Sequence, residues 1–172
     1  MGDIGAPLPA PWRAAVIFDF ARSEIFDHTF QEGMELVEET AAYLDGGGRR
    51  DAKLLSRSAA LAYAAECMRL TTRLMQVASW LLVQRAVREG DIAPEAACSH
   101  GYRLSPEAVG EARDRSPETL PHPLTQLLDR SARLYERVRH LDRRMYLETT
   151  QPLAPSHPVL DQMARLRGAF ER

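Results

Sequence analysis

Cysteine and long apolar runs are both scarce in this chain. It contains 2 cysteines in 172 residues, which is too few for a disulfide scaffold and favours a reducing compartment. The longest apolar stretch, Val77 to Val83, is far shorter than the roughly 18–20 residues of a membrane span. The N-terminus lacks the basic start and apolar core of a signal peptide. These absences predict a cytoplasmic protein without membrane insertion.

Aromatic residues and an excess of one charge are missing as well. Aromatics make up 7% of the chain, which argues against an all-β sandwich. The 22 basic and 24 acidic side chains leave a formal net charge of −2, so no bulk polycation is present to coat nucleic acid. An apolar fraction of 45% and a charged fraction of 27% are typical of one ordinary globular domain.

What the sequence does contain is helical periodicity. Apolar residues recur every three to four positions in three long segments, which predicts an all-α fold. We expect a three-helix bundle with one very long central helix, and a left-handed glycine cap at Gly46 to Gly48 that ends the first helix. The predicted parts are a flexible N-terminal segment (1–22), a bundle domain (23–146) and a flexible C-terminal tail (147–172). The predicted helices span about 23–45, 51–89 and 123–146, with a loop over 90–121.

The central helix is apolar on two opposed faces. One stripe follows heptad spacing and is rich in small residues: Leu54, Ser58, Leu61, Ala65, Met68, Thr72, Met75, Ser79, Leu82 and Ala86. The other consists of Leu70, Leu74, Val77 and Leu81. Because a surface helix of a small monomer has one apolar face, the second face needs a partner, most simply another copy of the chain. We therefore predict a homodimer, in which the stripe from Leu70 to Leu81 serves dimer or bundle packing.

Residue patterns that carry catalysis are lacking. No Gly-x-Ser-x-Gly occurs, and Gly46 to Gly48 lacks the Lys and Ser/Thr that follow a phosphate-binding loop. Cys98 and His100 are the only close cysteine–histidine pair, without a second cluster at metal-ligand spacing. We therefore predict no catalytic residue, no cofactor and no metal, in a protein that is not an enzyme.

Charged residues on two helices are the candidate partner-binding residues. A polar ridge on the central helix lies between its apolar stripes: Glu66, Arg69, Arg73 and Gln76. The first helix is acidic and contributes Glu35, Glu38 and Glu39. The ridge has two interpretations: its arginines pair with Glu66, Glu35 or Glu38 inside the bundle, or they bind an acidic partner. The basic third helix is either a solvated face or a contact for nucleic acid.

Two long segments carry a resemblance to a known family. Residues 32–46 read EGMELVEETAAYLDG and residues 61–76 read LAYAAECMRLTTRLMQ, followed by ASWLL at 78–82 and QRAV at 84–87. Together they closely resemble the RcdA family, the regulators of CtrA degradation of alphaproteobacteria. The resemblance is strong from about Phe26 to Gly90 and looser through the third helix, and it does not extend to the tails.

The resemblance implies a function and a set of partners. RcdA-like proteins are dimeric three-helix bundles that act as adaptors for the ClpXP protease. They promote degradation of cell-cycle regulators such as CtrA, together with CpdR and PopA. We expect the same role here, in a protein that can be recruited to a cell pole and that binds no nucleic acid. The alternatives are a DNA-associated transcription regulator that uses the basic third helix, or a helical scaffold unrelated to proteolysis.

Overall fold

Three long helices form the body of the molecule. The computed structural model describes residues 11–105 and 120–146, and these residues form helices and turns without a β-strand. The all-α prediction is therefore confirmed. In chain order the helices are α1 (Pro11–Ala21), α2 (Glu24–Asp45), α3 (Gly47–Lys53), α4 (Arg57–Glu89), α5 (Pro94–Ala97) and α6 (His122–Tyr146), with a 3₁₀ turn at His100–Tyr102.

Helix α1 corrects the prediction of a flexible segment over residues 1–22. Residues Pro11–Ala21 are helical and pack against α4 and α5. Ala14, Ile17 and Ala21 are buried, and their spacing of three and four places them on one helical face. The sequence contained this spacing around Ile17, but the segment was too short to signal a helix by periodicity. Residues 1–10 lie outside the described part of the chain.

The predicted central helix, 51–89, is broken near its start. Helix α3 ends at Lys53, and α4 begins at Arg57 after a turn in which Leu54 is exposed. Ser56 caps α4, because its backbone is extended and its Oγ accepts a hydrogen bond from the Ala59 amide at 3.3 Å. Helix α4 still spans 33 residues, or about 50 Å. It ends at Gly90, whose positive φ of 86° suits glycine.

The glycine run at residues 46–48 plays a different part from the one predicted. Helix α2 does end at Asp45, but Gly46 has φ −113° and is not a left-handed cap. Gly47 and Gly48 begin α3. A Cβ at Gly48 would lie 2.5 Å from the Tyr63 hydroxyl and 2.9 Å from the Tyr43 carbonyl oxygen. Glycine is therefore needed at 48 because α3 passes so close to its neighbours.

The predicted loop over 90–121 is partly ordered on α6. Its first part contains α5 and the 3₁₀ turn. The Tyr146 hydroxyl donates a hydrogen bond to the Ala97 carbonyl at 2.9 Å, and the Tyr135 hydroxyl donates one to the Ser105 carbonyl at 3.0 Å. Two tyrosines of α6 thus hold this segment against the bundle. The remainder of the predicted loop, 106–119, and the predicted tail, 147–172, lie outside the described residues.

The core lies between α2, α4 and α6, with α1 packed on one side. Its fully buried side chains include Leu36 of α2, Trp80 and Leu81 of α4, and Leu128 and Leu134 of α6. Each such side chain stabilises the fold by roughly 1.5–3 kcal/mol relative to exposure. This apolar contact fixes the orientation of α4 and therefore decides which of its faces is left outside.

Candidate functional site

The inner face of α4 packs entirely within the bundle. Leu70, Leu74, Val77 and Leu81 are all buried members of the core cluster. Of the two roles predicted for these residues, dimer or bundle packing, the structure shows bundle packing. The opposed face of α4 is the one left outside the bundle.

The outer face of α4 is a continuous row of exposed apolar and small side chains. Its large members are 51% to 72% exposed: Leu61, Met68, Met75 and Leu82. Small residues alternate with them at heptad spacing, and all but the half-buried last one are exposed: Ser58, Ala65, Thr72, Ser79 and Ala86. We call these nine residues the exposed stripe. Single exposed apolar residues are ordinary, but a contiguous row of them marks an interaction surface.

A cleft of about 520 Å³ opens beside the C-terminal half of the exposed stripe. Met75, Trp80 and Val83 of α4 line one side, and Tyr102 and Arg103 line the other. The Gln76 side chain also borders the cleft, and its Oε1 has no hydrogen-bond partner among the residues that the structure describes. The cleft is therefore mainly apolar, with polar atoms at its margin.

Buried Asp142 of α6 fixes the wall of this cleft. Its Oδ1 accepts hydrogen bonds from Trp80 Nε1 at 2.9 Å and from the Leu104 amide at 3.1 Å. Its Oδ2 lies 3.4 Å from Arg103 Nη2. Sequence reasoning missed Asp142, although an acidic residue between Val138 and Met145 on the apolar stripe of α6 was a usable signal.

The predicted polar ridge is divided between surface and core. Arg69 pairs with Glu66 one turn away on α4. Arg73 is buried, and its Nη1 donates to Ser131 Oγ at 2.9 Å and to the Leu128 carbonyl at 3.3 Å. The interpretation that Arg73 pairs with Glu35 or Glu38 is wrong, because its guanidinium faces α6. A partner can reach Arg69, whereas Arg73 joins α4 to α6.

The acidic face of α2 pairs with the basic face of α6. Glu32 accepts a hydrogen bond from Arg137 at 2.5 Å, and Glu39 accepts one from Arg130 at 2.5 Å. Both pairs are about half exposed, so each contributes about 0–1 kcal/mol. Glu35 and Glu38 are exposed, and Glu35 accepts from Gln31 at 2.9 Å. Glu39 is thus engaged within the bundle, while Glu35 and Glu38 face outward.

Several tyrosine and cysteine side chains of the bundle have pKa values raised by burial, which favours their uncharged forms. Burial raises the pKa of the Cys67 and Cys98 thiols, so neither has the thiolate character of a reactive cysteine. Burial raises the pKa of Tyr146 to about 12. Burial, followed by the hydrogen bond to Asp51, raises the pKa of Tyr43. These shifts are those of packed structural groups.

In residues 11–105 and 120–146, no three His, Cys, Asp or Glu side chains come together as a possible metal site. In the same ranges, no helix combines the length and the apolar character needed to cross a bilayer.

The geometry defines a class of protein, a helical bundle with a long central helix whose outer apolar stripe is exposed. Comparison with known proteins then identifies the family. A family model described as a protein of unknown function (DUF1465) matches residues 17–170. The crystal structure of RcdA from Caulobacter crescentus CB15 is 69% identical in sequence, with a TM-score of 0.63, and the match covers 76% of this chain and 98% of that one. No curated protein matches the chain. The chain belongs to the RcdA family, and the predicted family membership is confirmed.

Proposed function

We propose that this protein is a non-enzymatic adaptor for regulated proteolysis. It would promote degradation by ClpXP of cell-cycle regulators such as CtrA, acting with CpdR and PopA. The observation that carries the proposal is the 69% identity to RcdA over 98% of that chain. Identity of that extent supports a role shared with RcdA.

The surfaces of the bundle agree with an adaptor. The exposed stripe on α4 and the outward carboxylates of α2 are available to other proteins. The two described thiols have raised pKa values, which disfavours nucleophilic chemistry at these residues. We propose Glu35, Glu38 and Arg69 as partner contacts, while Glu39, Glu66, Arg73 and Gln76 serve the bundle or the edge of the cleft.

A second copy of the chain is the first partner that we propose. The exposed stripe has too many large apolar side chains for a solvated helix face. Burying it against another chain recovers roughly 25 cal/mol per Å² of apolar surface. A homodimer would therefore be the state in which the protein meets the protease.

The geometry disfavours the transcription-regulator alternative. Its basic helix is α6, but Arg130 and Arg137 are already paired with Glu39 and Glu32 of α2. Neutralisation of phosphates by these arginines would first require that the pairs separate. We therefore propose no contact with nucleic acid.

Reconstituted degradation tests the adaptor proposal. Purified ClpXP, CpdR, PopA and CtrA are combined with this protein, and the loss of CtrA is followed on gels. Each component is then left out in turn. We expect slow loss of CtrA whenever this protein is omitted and faster loss when all are present. CtrA loss that is equally fast without this protein, with helicity confirmed by circular dichroism, would refute the proposal for this client.

A further inference from the structure

The turn between α3 and α4 carries a cluster of exposed cations. Its members belong to α3 and to the first position of α4, and we call them the basic corner: Arg49, Arg50, Lys53 and Arg57. Within residues 46–65 the only other charged side chain is Asp51. Four cations and one carboxylate give this stretch a net charge of +3, in a chain whose formal net charge is −2.

Most of this positive charge has no partner in residues 11–105 and 120–146. Arg49 pairs with Asp45 at 3.2 Å, with both side chains largely in solvent at 72% and 80% exposed. Arg50, Lys53 and Arg57 form no hydrogen bond or ion pair with these residues. The basic face of α6 differs, because its arginines are paired with carboxylates of α2. Three cations of the basic corner are therefore available to another molecule.

Two local features strengthen the positive potential of the corner. The half-buried Asp51 is engaged by Tyr43, whose hydroxyl donates a hydrogen bond to Asp51 Oδ2 at 3.0 Å. Arg57 lies at the N-terminal end of α4, where the helix dipole carries partial positive charge and favours carboxylates. No acidic residue occupies the first turn of α4. A negatively charged partner would offset the cost of placing a cation there.

An exposed leucine lies among these cations. Leu54 is 87% exposed, more than any other large apolar side chain of the described ranges. Arg50 precedes it by four positions and Lys53 by one, so both cations are its neighbours on the surface of α3. The next residue, Leu55, packs against the core, and Ser56 caps α4. The turn is thus anchored on one side and presents Leu54 on the other.

The size and composition of the corner favour an acidic protein segment over nucleic acid. Helix α3 has 7 residues, which is about 10 Å of length and matches a few carboxylates better than a long run of phosphates. Asp45, at 80% exposed, borders the corner and would repel a phosphate backbone that continued past it. Leu54 offers nothing to phosphate but can pack against an apolar side chain.

We infer that the basic corner binds an acidic segment of a partner protein. Carboxylates of that segment pair with Arg50, Lys53 and Arg57, and the two arginines can each hold a carboxylate through two parallel hydrogen bonds. One apolar side chain of the segment packs on Leu54. The inference goes beyond the proposed function, because it adds a surface opposite in charge to the outward carboxylates of α2.

Fluorescence anisotropy with the full-length chain tests the inference directly. The probe is a fluorescein-labelled peptide of Glu-Glu-Leu repeats with blocked termini, and two matched peptides replace Glu by Gln or Leu by Ser. We expect the Glu-Glu-Leu peptide to bind, the Gln peptide not to bind and the Ser peptide to bind more weakly. Binding should weaken as salt rises from about 0.05 M to about 0.3 M, because salt screens exposed charges.

Protein variants locate the binding on the corner. Arg50→Glu with Lys53→Glu should weaken binding of the Glu-Glu-Leu peptide by about ten-fold or more, because the reversed charges repel the carboxylates. Arg133→Glu with Arg143→Glu makes the same change in net charge at exposed positions of α6 and should leave binding nearly unchanged. Leu54→Ser should bind the leucine and serine peptides equally. Circular dichroism confirms that each variant keeps its helicity.

Four results would overturn the inference. They are no binding of the Glu-Glu-Leu peptide, equally strong binding of the Gln peptide, equal weakening by the two double variants, and tighter binding of a duplex oligonucleotide or of phosphatidylglycerol vesicles. The last would assign the corner to phosphate groups. The binding measurements contain no protease, so they can succeed when the degradation assay fails, and the reverse.

Discussion

Gly48 lies at the start of α3, where the backbone passes too close to its neighbours to leave room for a side chain. A Cβ at this position would meet both the Tyr63 hydroxyl and the Tyr43 backbone carbonyl. We predict that Gly48→Ala lowers the free energy of unfolding by about 1–3 kcal/mol, because backbone has to shift. Gly47→Ala is the matched control, since the atoms nearest to its Cβ are at 3.6 Å or more. Urea denaturation gives the free energy of unfolding of both variants, and equal values would contradict this account.

Asp142 is the residue whose loss would release the segment beside the cleft. Asp142→Ala leaves Trp80 Nε1 and the Leu104 amide without their acceptor. Because buried donors without a partner are costly, we predict a loss of about 3 kcal/mol in the free energy of unfolding. Asp19→Ala, at an exposed position of α1, should change it by less than about 0.5 kcal/mol. Thermal denaturation of the two variants would distinguish them, and equal midpoints would refute the role of Asp142.

Ionisation of Tyr146 is expected to destabilise the fold at alkaline pH. Burial raises its pKa from 10.0 to about 12. Between these values the unfolded chain loses the phenolic proton while the folded chain keeps it, so stability present below pH 10 is lost as the pH rises to 12. We predict a fall of about 2–3 kcal/mol from this group. Tyr146→Phe should reduce this loss of unfolding free energy between pH 10 and pH 12, whereas Tyr102→Phe, at an exposed position, should leave it unchanged. Equal pH profiles for the two variants would contradict the prediction.

Residue-level features were predictable from sequence where they are local. The predicted start of the first helix at residue 23 is such a case, because Ser23 caps α2 and its Oγ accepts a hydrogen bond from the Phe26 amide at 3.2 Å. Arg73 bonds to Ser131, 58 residues away along the sequence, and Trp80 bonds to Asp142, 62 residues away. Contacts of that separation depend on how α4 and α6 are rotated against each other, and helical periodicity does not determine this rotation.

At the scale of elements, the two faces of α4 have opposite environments. Leu74 is buried and Met68 is exposed. We predict that Leu74→Glu costs more than about 4 kcal/mol and unfolds the bundle, because a carboxylate would be buried without a partner. Met68→Glu should keep the helical circular dichroism spectrum and reduce self-association. A Leu74→Glu chain that stays helical would show that this face is not in the core.

The long helices were predictable and the short ones were not, for a physical reason. Helices α2 and α6 have a single apolar stripe over many turns, so their periodicity is clear in sequence. The break between α3 and α4 depends on the Ser56 cap and on the contact of Gly48 with Tyr63. Apolar residues continue across the break, which is why the sequence predicted one uninterrupted helix.

At the scale of the whole molecule, the outward carboxylates of α2 are expected to contact partners. We predict that Glu35→Arg with Glu38→Arg leaves the helical spectrum unchanged and lowers the rate of client degradation several-fold. Asp91→Arg with Glu95→Arg makes the same change in net charge at exposed positions beyond α4 and serves as the control. Equal loss of activity in both variants would indicate a general charge effect and refute a specific contact on α2.

The sequence predicted the family, and the structure added the distribution of surfaces. Segments of α2 and α4 carried the resemblance to RcdA, and the comparison with its crystal structure confirmed it. Which apolar face of α4 is outside could not be inferred from the sequence, because both faces have helical spacing. The folded chain resolves this ambiguity, because one stripe is buried (Leu70, Leu74, Val77 and Leu81) and the large side chains of the other are exposed (Leu61, Met68, Met75 and Leu82).

The initial rate of CtrA loss as a function of the concentration of this protein is the most direct test of adaptor function. The rate is measured with fixed ClpXP, CpdR and PopA. We predict that it rises with concentration and then saturates, as binding of a limiting partner requires, and that the saturated rate exceeds the rate without this protein. A rate that stays flat across the titration, with a chain whose helicity is confirmed, would contradict the adaptor function.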